Sequence, residues 1–374
     1  MAGRINLPEL AAAAGLELSG VTAAAPLNHL TARLLKRSNE GRVTPFEEKD
    51  PARRIAPDHL LPGCRSIVAV GLPYPAGPDE PPLAGEAGPR GLVARCARGL
   101  DYHRLLEQKG ESLARLLKKE LAAPLRYRVL CDRSPLVERE LARQAGLGRI
   151  GENCTLITPA HGSFVALGTI LLDRPLEEDA PQPEGCTGCG RCRAACPSGA
   201  LIAPYTLDYS RCLSYWTQAS GIVPAAMRPL FGARLYGCDC CQEVCPLNGA
   251  PRHAANNNAR SALFLPGAPP LLPLLRLSRK EFAATIGRSA AGWRGKTTIQ
   301  RNAVIALGNS GDPVAVPELA RLLEADPRPV IRLHSAWALG QIQDRAARRH
   351  LENCLRREDN PLVKEEARHA LAGE

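Results

Sequence analysis

The chain has 374 residues, 45% of them hydrophobic, enough to bury a sizeable core in two or three domains. Its fourteen cysteines are clustered, and Met1 to Gly20 lacks a basic stretch followed by an apolar core, so a secreted disulfide scaffold is not expected. A formal net charge of +10 admits a polyanionic partner without requiring one, because Arg is used heavily throughout.

Residues 1–175 read as one α/β domain. The apolar, β-rich runs Ser66–Leu72, Tyr127–Cys131 and Phe164–Leu172 predict buried strands, and Tyr102–Leu121 and Pro135–Ala145 predict helices between them. Strands alternating with helices favour a layered core. No stretch approaches the roughly 20 uncharged apolar residues of a membrane span. A cytoplasmic protein without membrane contact is therefore expected, and in that compartment clustered cysteines are more often metal ligands than bridges.

A Pro-rich, acidic stretch, Arg174–Glu184, opens a second segment, residues 176–250. Here Cys186-Thr-Gly-Cys189-Gly-Arg-Cys192-Arg-Ala-Ala-Cys196-Pro197 is the C-x2-C-x2-C-x3-C-P run of bacterial ferredoxins. Ligands so tightly spaced are hard to wrap around one zinc. Cys238-Asp-Cys240-Cys241-Gln-Glu-Val-Cys245-Pro246 supplies the later half of a second run, and Cys212 stands alone between the two. In two-cluster ferredoxins the fourth Cys of a run ligates the other cluster. Crossing the ligands that way assigns Cys186, Cys189, Cys192 and Cys245 to one 4Fe-4S cluster, and Cys196, Cys212, Cys238 and Cys241 to the other. Cys240 becomes a ligand only if the spacing slips by one, and it is read as a thiol beside the cluster.

The last segment, residues 251–374, begins in an Ala-, Asn- and Pro-rich stretch, Gly249–Pro273, expected to be irregular. Periodicity follows. Arg301-Asn-Ala-Val-Ile-Ala-Leu-Gly308 recurs as His334-Ser-Ala-Trp-Ala-Leu-Gly340 and more faintly as Glu366-Ala-Arg-His-Ala-Leu371, which spaces Leu307, Leu339 and Leu371 by 32 residues. Such a period predicts stacked HEAT-like helix pairs.

Several separated stretches resemble the epoxyqueuosine reductases. They are Phe46-Glu-Glu-Lys-Asp-Pro-Ala-Arg-Arg54, Leu61-Pro-Gly-Cys-Arg-Ser-Ile67, Asp101-Tyr102-His103, Asp132-Arg-Ser-Pro135-Leu-Val-Glu138, Ala145-Gly-Leu-Gly148-Arg-Ile-Gly151, Tyr236-Gly-Cys-Asp-Cys-Cys-Gln-Glu-Val-Cys-Pro-Leu-Asn248 and Arg301-Asn-Ala-Val-Ile-Ala-Leu-Gly-Asn309. Their order spans nearly the whole chain. The resemblance implies an α/β cobalamin-binding catalytic domain, a ferredoxin-like insert with two 4Fe-4S clusters, and an all-α repeat domain. It implies reduction of epoxyqueuosine at the wobble position of tRNA, by a cytoplasmic monomer served by an unidentified electron donor.

By the same resemblance Arg54, Cys96, Asp132, Leu156 and Leu167 contact the corrinoid, and Asp132 is the general acid. Other readings stand beside these. Asp132 could cap the helix that follows it, Cys96 could be a small core residue, and Arg54 a solvated charge. His103 reads as a structural His and Glu138 as an ordinary acid at a helix N-terminus. Arg294, Lys296, Arg301 and Arg332 are expected to meet tRNA phosphates on one face of the repeats. The chain departs from the family at Gln218 or Ala219, where a Glu is usual, and at Asp239-Cys240, in place of two aspartates. The competing functions are a related corrinoid reductase acting on a small molecule, such as a reductive dehalogenase, and a non-catalytic electron-transfer protein. The helical period argues against the first.

Overall fold

The computed structural model describes residues 5–74, 88–182, 186–248 and 265–373. Its main sheet has four strands: β1 (Leu18–Ala23), β2 (Ser66–Pro73), β3 (Tyr127–Leu130) and β4 (Val165–Leu172), in the order β1-β2-β4-β3. Every neighbouring pair is antiparallel, with Leu18 opposite Gly71, Ser66 opposite Leu172 and Tyr127 opposite Leu172. All eight residues of β2 are buried. A central strand covered on both faces needs apolar residues at every position, which is why β2 and β4 read as continuous hydrophobic runs.

Helices cover both faces. Helix α1 (Tyr102–Glu120) buries Leu105, Leu106, Leu113, Ala114 and Leu117, the stripe of an amphipathic helix. Gly110 lets it approach β3, since a Cβ there would sit 2.6 Å from Val129 Cγ1. Leu106, Leu113 and Leu117 are at most 1% exposed, and burying each contributes about 1.5–3 kcal/mol. On the other face α2 (Glu138–Gln144) sets Leu141 against Ile67, Leu130 and Leu171, and Ala142 against Ala69, Ala145, Leu147 and Leu156. The expected start at Pro135 is wrong by one turn: residues 132–137 form a turn, and the helix begins at Glu138.

Contacts divide the chain into two compact units. Of the described residues, the first unit draws on 5–74, 102–182, 186–210 and 240–248, the second on 88–101, 211–239 and 265–373. In the second unit five helices carry the period: α3 (Gly295–Ser310), α4 (Val316–Ala325), α5 (Pro329–Ile342), α6 (Arg345–Arg357) and α7 (Pro361–Ala372). α3 packs on α5, and α5 on α7. The recurring glycines lie at these crossings. A Cβ on Gly308 would come within 2.7 Å of Ala338 Cα, and one on Gly340 within 2.6 Å of Ala370 Cβ. Leu307 and Leu339 are fully buried beside them. Asp344 and Asn360 cap α6 and α7 through the N–H groups of Ala346, Ala347, Leu362 and Val363, each cap contributing about 1 kcal/mol. Of the stretch expected to be irregular, residues 249–264 lie outside the described residues, and Leu271–Arg276 is a short helix. Among the described residues no helix is long and apolar enough to cross a membrane.

Candidate functional site

After β3 the chain turns sharply at Asp132, whose φ of 51° is left-handed. Asp is among the few residues with a side chain that tolerate this conformation, at a cost of about 1–2 kcal/mol. Glu138 holds the turn: both of its carboxylate oxygens accept the Asp132 N–H at 3.2 Å, and Ser134 Oγ donates to Oε1 at 3.5 Å. Burial pushes the Glu138 carboxyl well above its ordinary range, and the Asp132 charge pushes the same way. The N-cap of α2 is Val137, with no side-chain cap, so Asp132 does not cap that helix.

The Asp132 side chain is 52% exposed. Its Oδ2 accepts the Tyr102 hydroxyl and lies 3.6 Å from His103 Nε2. The rings of Tyr102 and His103 stack with centroids 4.1 Å apart, and Tyr74 stands 6.2 Å from Tyr102. Tyr102 and His103 are therefore part of the Asp132 site, although His103 reads as structural in the sequence. Their signal is the Asp101-Tyr102-His103 stretch, whose first helical turn faces the Asp132 turn.

Arg54, on the short helix Pro51–Ile55, is 9% exposed. Its Nη1 meets Glu47 Oε2 at 2.5 Å, and Glu47 also receives Arg37 at 2.7 Å. The Arg54 Nε is buried and has no hydrogen-bond partner among the described residues, so a solvated charge is not what this residue is. Leu156 is buried in the apolar cluster under α2, and Leu167 packs against that cluster from β4. Cys96 belongs to the second unit, half-buried in the short helix Arg95–Ala97.

Cys186, Cys189, Cys192 and Cys245 line one small cavity with Glu152, Asn153 and Ile157. All four are unbridged thiols. The loop carrying the first three turns at Gly188 and Gly190, both with φ of 68°, a conformation glycine adopts freely. The Arg191 N–H draws the Cys189 thiol below its usual pKa. Burial pushes the Cys192 thiol up, and the Glu152 charge adds to this. At Cys196 burial would do the same, but N–H groups of Leu201, Ser198 and Ala200 outweigh it and favour the thiolate. Ala200 N donates to its Sγ at 3.2 Å. Cys240 and Cys241 open the helix Cys240–Glu243 in the first unit. In the second unit Cys212 precedes the helix Leu213–Gln218, and Cys238 follows the strand Arg234–Tyr236.

Gln218 has a structural task that a Glu could not perform unchanged. Its Nε2 donates to Ser214 O at 2.9 Å, while its Oε1 accepts from Tyr236 Oη at 3.1 Å and Trp293 Nε1 at 3.2 Å. The basic residues expected to meet tRNA need correction at Arg301. It is 1% exposed and bonded to the carbonyls of Trp216, Ala219 and Gly221, so it cannot reach a phosphate. Its neighbours are engaged too: Arg332 pairs with Glu358 at 2.7 Å, Arg294 donates to Gln218 O at 2.6 Å, and Lys296 donates to Leu277 O at 2.9 Å.

Comparison with known proteins agrees with this architecture. The family model of epoxyqueuosine reductase QueG matches residues 54–133, that of the 4Fe-4S double cluster binding domain residues 185–248, and that of HEAT repeats residues 269–372. The epoxyqueuosine reductase of Bacillus subtilis is 39% identical over 360 residues, covering 96% of this chain and 92% of that one. That of Staphylococcus aureus is 36% identical over 353 residues, covering 94% and 92%. A crystal structure of an epoxyqueuosine reductase with an epoxyqueuosine-modified tRNA-Tyr stem loop superimposes with a TM-score of 0.92 at 38% identity, covering 98% of this chain and 97% of the other. A structure of the B. subtilis enzyme with its catalytic aspartate loop swung out of the active site gives the same TM-score at 37% identity, again with 98% and 97% coverage. Similarity of this extent, running through all three segments of the sequence, means that the chain belongs to the epoxyqueuosine reductase family.

Proposed function

We propose that this chain reduces epoxyqueuosine to queuosine at the wobble position of tRNA. Residues 1–175 bind cobalamin and carry the chemistry, 176–250 hold two 4Fe-4S clusters, and 251–374 comprise a linker and repeats. The observation that carries the reading is similarity over nearly the full length to an enzyme crystallised on a modified stem loop. Asp132 is the catalytic acid. Reduction consumes two electrons and two protons, breaks the two epoxide C–O bonds, leaves an alkene and releases the oxygen as water. Asp132 delivers a proton to the departing oxygen, and Tyr102 and His103, within reach of its Oδ2, hold or return that proton. Glu138 keeps the turn in its left-handed form by accepting the Asp132 N–H.

Cys186, Cys189, Cys192 and Cys245 hold one cluster, and Cys196, Cys212, Cys238 and Cys241 the other. The first set suits the group because its thiols open on one cavity. Bound cobalamin supplies a strongly reducing cobalt centre. Arg54, Cys96, Asp132, Leu156 and Leu167 would hold it; the unpartnered buried N–H of Arg54 fits an amide or phosphate oxygen of a corrinoid. The chain acts as a cytoplasmic monomer supplied by an electron donor of unidentified nature. Anaerobic reconstitution followed by single turnover on an epoxyqueuosine-containing stem loop tests the reading. Loss of one oxygen from the nucleoside, dependent on cobalamin, is expected; a protein loaded with iron and cobalamin that leaves the epoxide intact would refute it.

A further inference from the structure

Glu152 shares a cavity with Cys186, Cys189, Cys192 and Cys245 but is not needed to complete a cluster's ligand set. It is 8% exposed. Its main chain is fixed by the Tyr205 N–H, which donates to the Glu152 carbonyl at 3.0 Å. One carboxylate oxygen, Oε1, lies over the loop joining Cys186 to Cys189, where a Cβ built on Gly188 would stand 3.8 Å from it. The other, Oε2, is buried and accepts no hydrogen bond among the described residues. Its ion-pair partner, Arg193, reaches only to 3.6 Å through Nε. The Arg193 side chain is 41% exposed, against 10% for Glu152. Water screens the cation far more than the anion, so the negative field dominates inside the cavity.

We propose that the charge of Glu152 lowers the reduction potential of the cluster bound by Cys186, Cys189, Cys192 and Cys245, with Arg193 offsetting part of the effect. The proposal rests on that ligand assignment. Adding an electron to a cluster adds negative charge, and a carboxylate in a water-poor cavity opposes it; residues around a metal site tune it in this way. The result is a stronger reductant, suited to driving a low-potential acceptor.

The test is a redox titration of the anaerobically reconstituted holo-protein at fixed pH, followed by electron paramagnetic resonance. Wild type is compared with Glu152→Gln, Arg193→Gln and Cys245→Ser. Glu152→Gln should move one of the two cluster midpoints to more positive potential and the other less. Arg193→Gln should move the same midpoint the opposite way. Unchanged midpoints in a Glu152→Gln protein with its full iron content would overturn the proposal. If that variant fails to take up iron, Arg193→Gln decides alone, and an unmoved midpoint there overturns it equally. Cys245→Ser separates the two levels: retention of both wild-type cluster signals would refute the ligand assignment itself.

Discussion

Arg301→Ala should open the segment after Cys212 without unfolding the repeats. The guanidinium donates to Ala219 O at 2.6 Å, Gly221 O at 2.8 Å and Trp216 O at 3.0 Å, and to Asn302 Oδ1 at 2.8 and 3.0 Å. Among the described residues no carboxylate pairs with it; burial, aided by the Arg294 charge, lowers its pKa to about 10, and carbonyl dipoles carry the charge. Truncation strands three carbonyls at about 1–3 kcal/mol each, while releasing a charge whose burial itself costs several kcal/mol. Taking the relieved charge burial as about 2–3 kcal/mol against about 3–9 for the carbonyls, the balance is a loss of roughly 1–6 kcal/mol, confined to residues that Arg301 ties down. At about 1.4 kcal/mol per tenfold, amide exchange across residues 213–221 should accelerate roughly fivefold to ten-thousandfold, while α5 and α7 keep their protection. Arg301→Lys, which reaches fewer carbonyls, should fall between. Hydrogen-exchange mass spectrometry reads both regions at once. Unchanged exchange in 213–221 would show that the carbonyls are held by something else.

Asp132→Asn tolerates the left-handed turn as Asp does, so clusters, cobalamin and tRNA affinity should persist while single-turnover rate falls by roughly 10²–10⁴; an unchanged rate would leave the proton source elsewhere. Cys64, Cys131, Cys154 and Cys354 lie outside the ligand spacing, so Ser at each should leave about eight irons per chain, and loss of half the iron would break the ligand assignment. Cys240→Ser tests the slipped register by the same iron count. Glu138 has a raised pKa in the folded state, so the folded protein binds a proton more tightly there than the unfolded one. Its contribution is complete below the ordinary value of 4.5 and is lost as pH rises through the raised one. Glu138→Gln should therefore gain on the parent in urea midpoint as pH rises above about 4.5, and parallel pH curves would exclude the shift.

Strands β2 and β4 and helix α1 were legible because burial dictates their side chains directly. β1 was not: Leu18–Ala23 is a short edge strand with Ser19, Gly20 and Thr22, and it pairs only through its partner β2. The cysteine runs were legible because ligand chemistry fixes spacing along the chain. Arg301 misled because a charge on a repeat helix reads as a phosphate contact, whereas its partners lie about 80 residues earlier, in the helix Leu213–Gln218 and just after it. The Asp132 site was half legible. Its motif singled out Asp132 and carried Glu138 with it, but Tyr102 and His103 are joined to them only by the fold.

The interleaving of the two compact units also sets a schedule for synthesis on the ribosome. Cys186, Cys189 and Cys192 are made early, but the fourth thiol of their cavity, Cys245, follows only after residues 211–239, which belong to the other unit. Cys192 precedes Cys245 by 53 residues. At about 5–20 residues per second the nascent chain carries an incomplete thiol set for roughly 2–10 seconds. In that interval a soft metal such as zinc or copper can occupy the early thiols. On the proposed ligand assignment, iron insertion into this cavity is a late event, completed once Cys245 has left the ribosome.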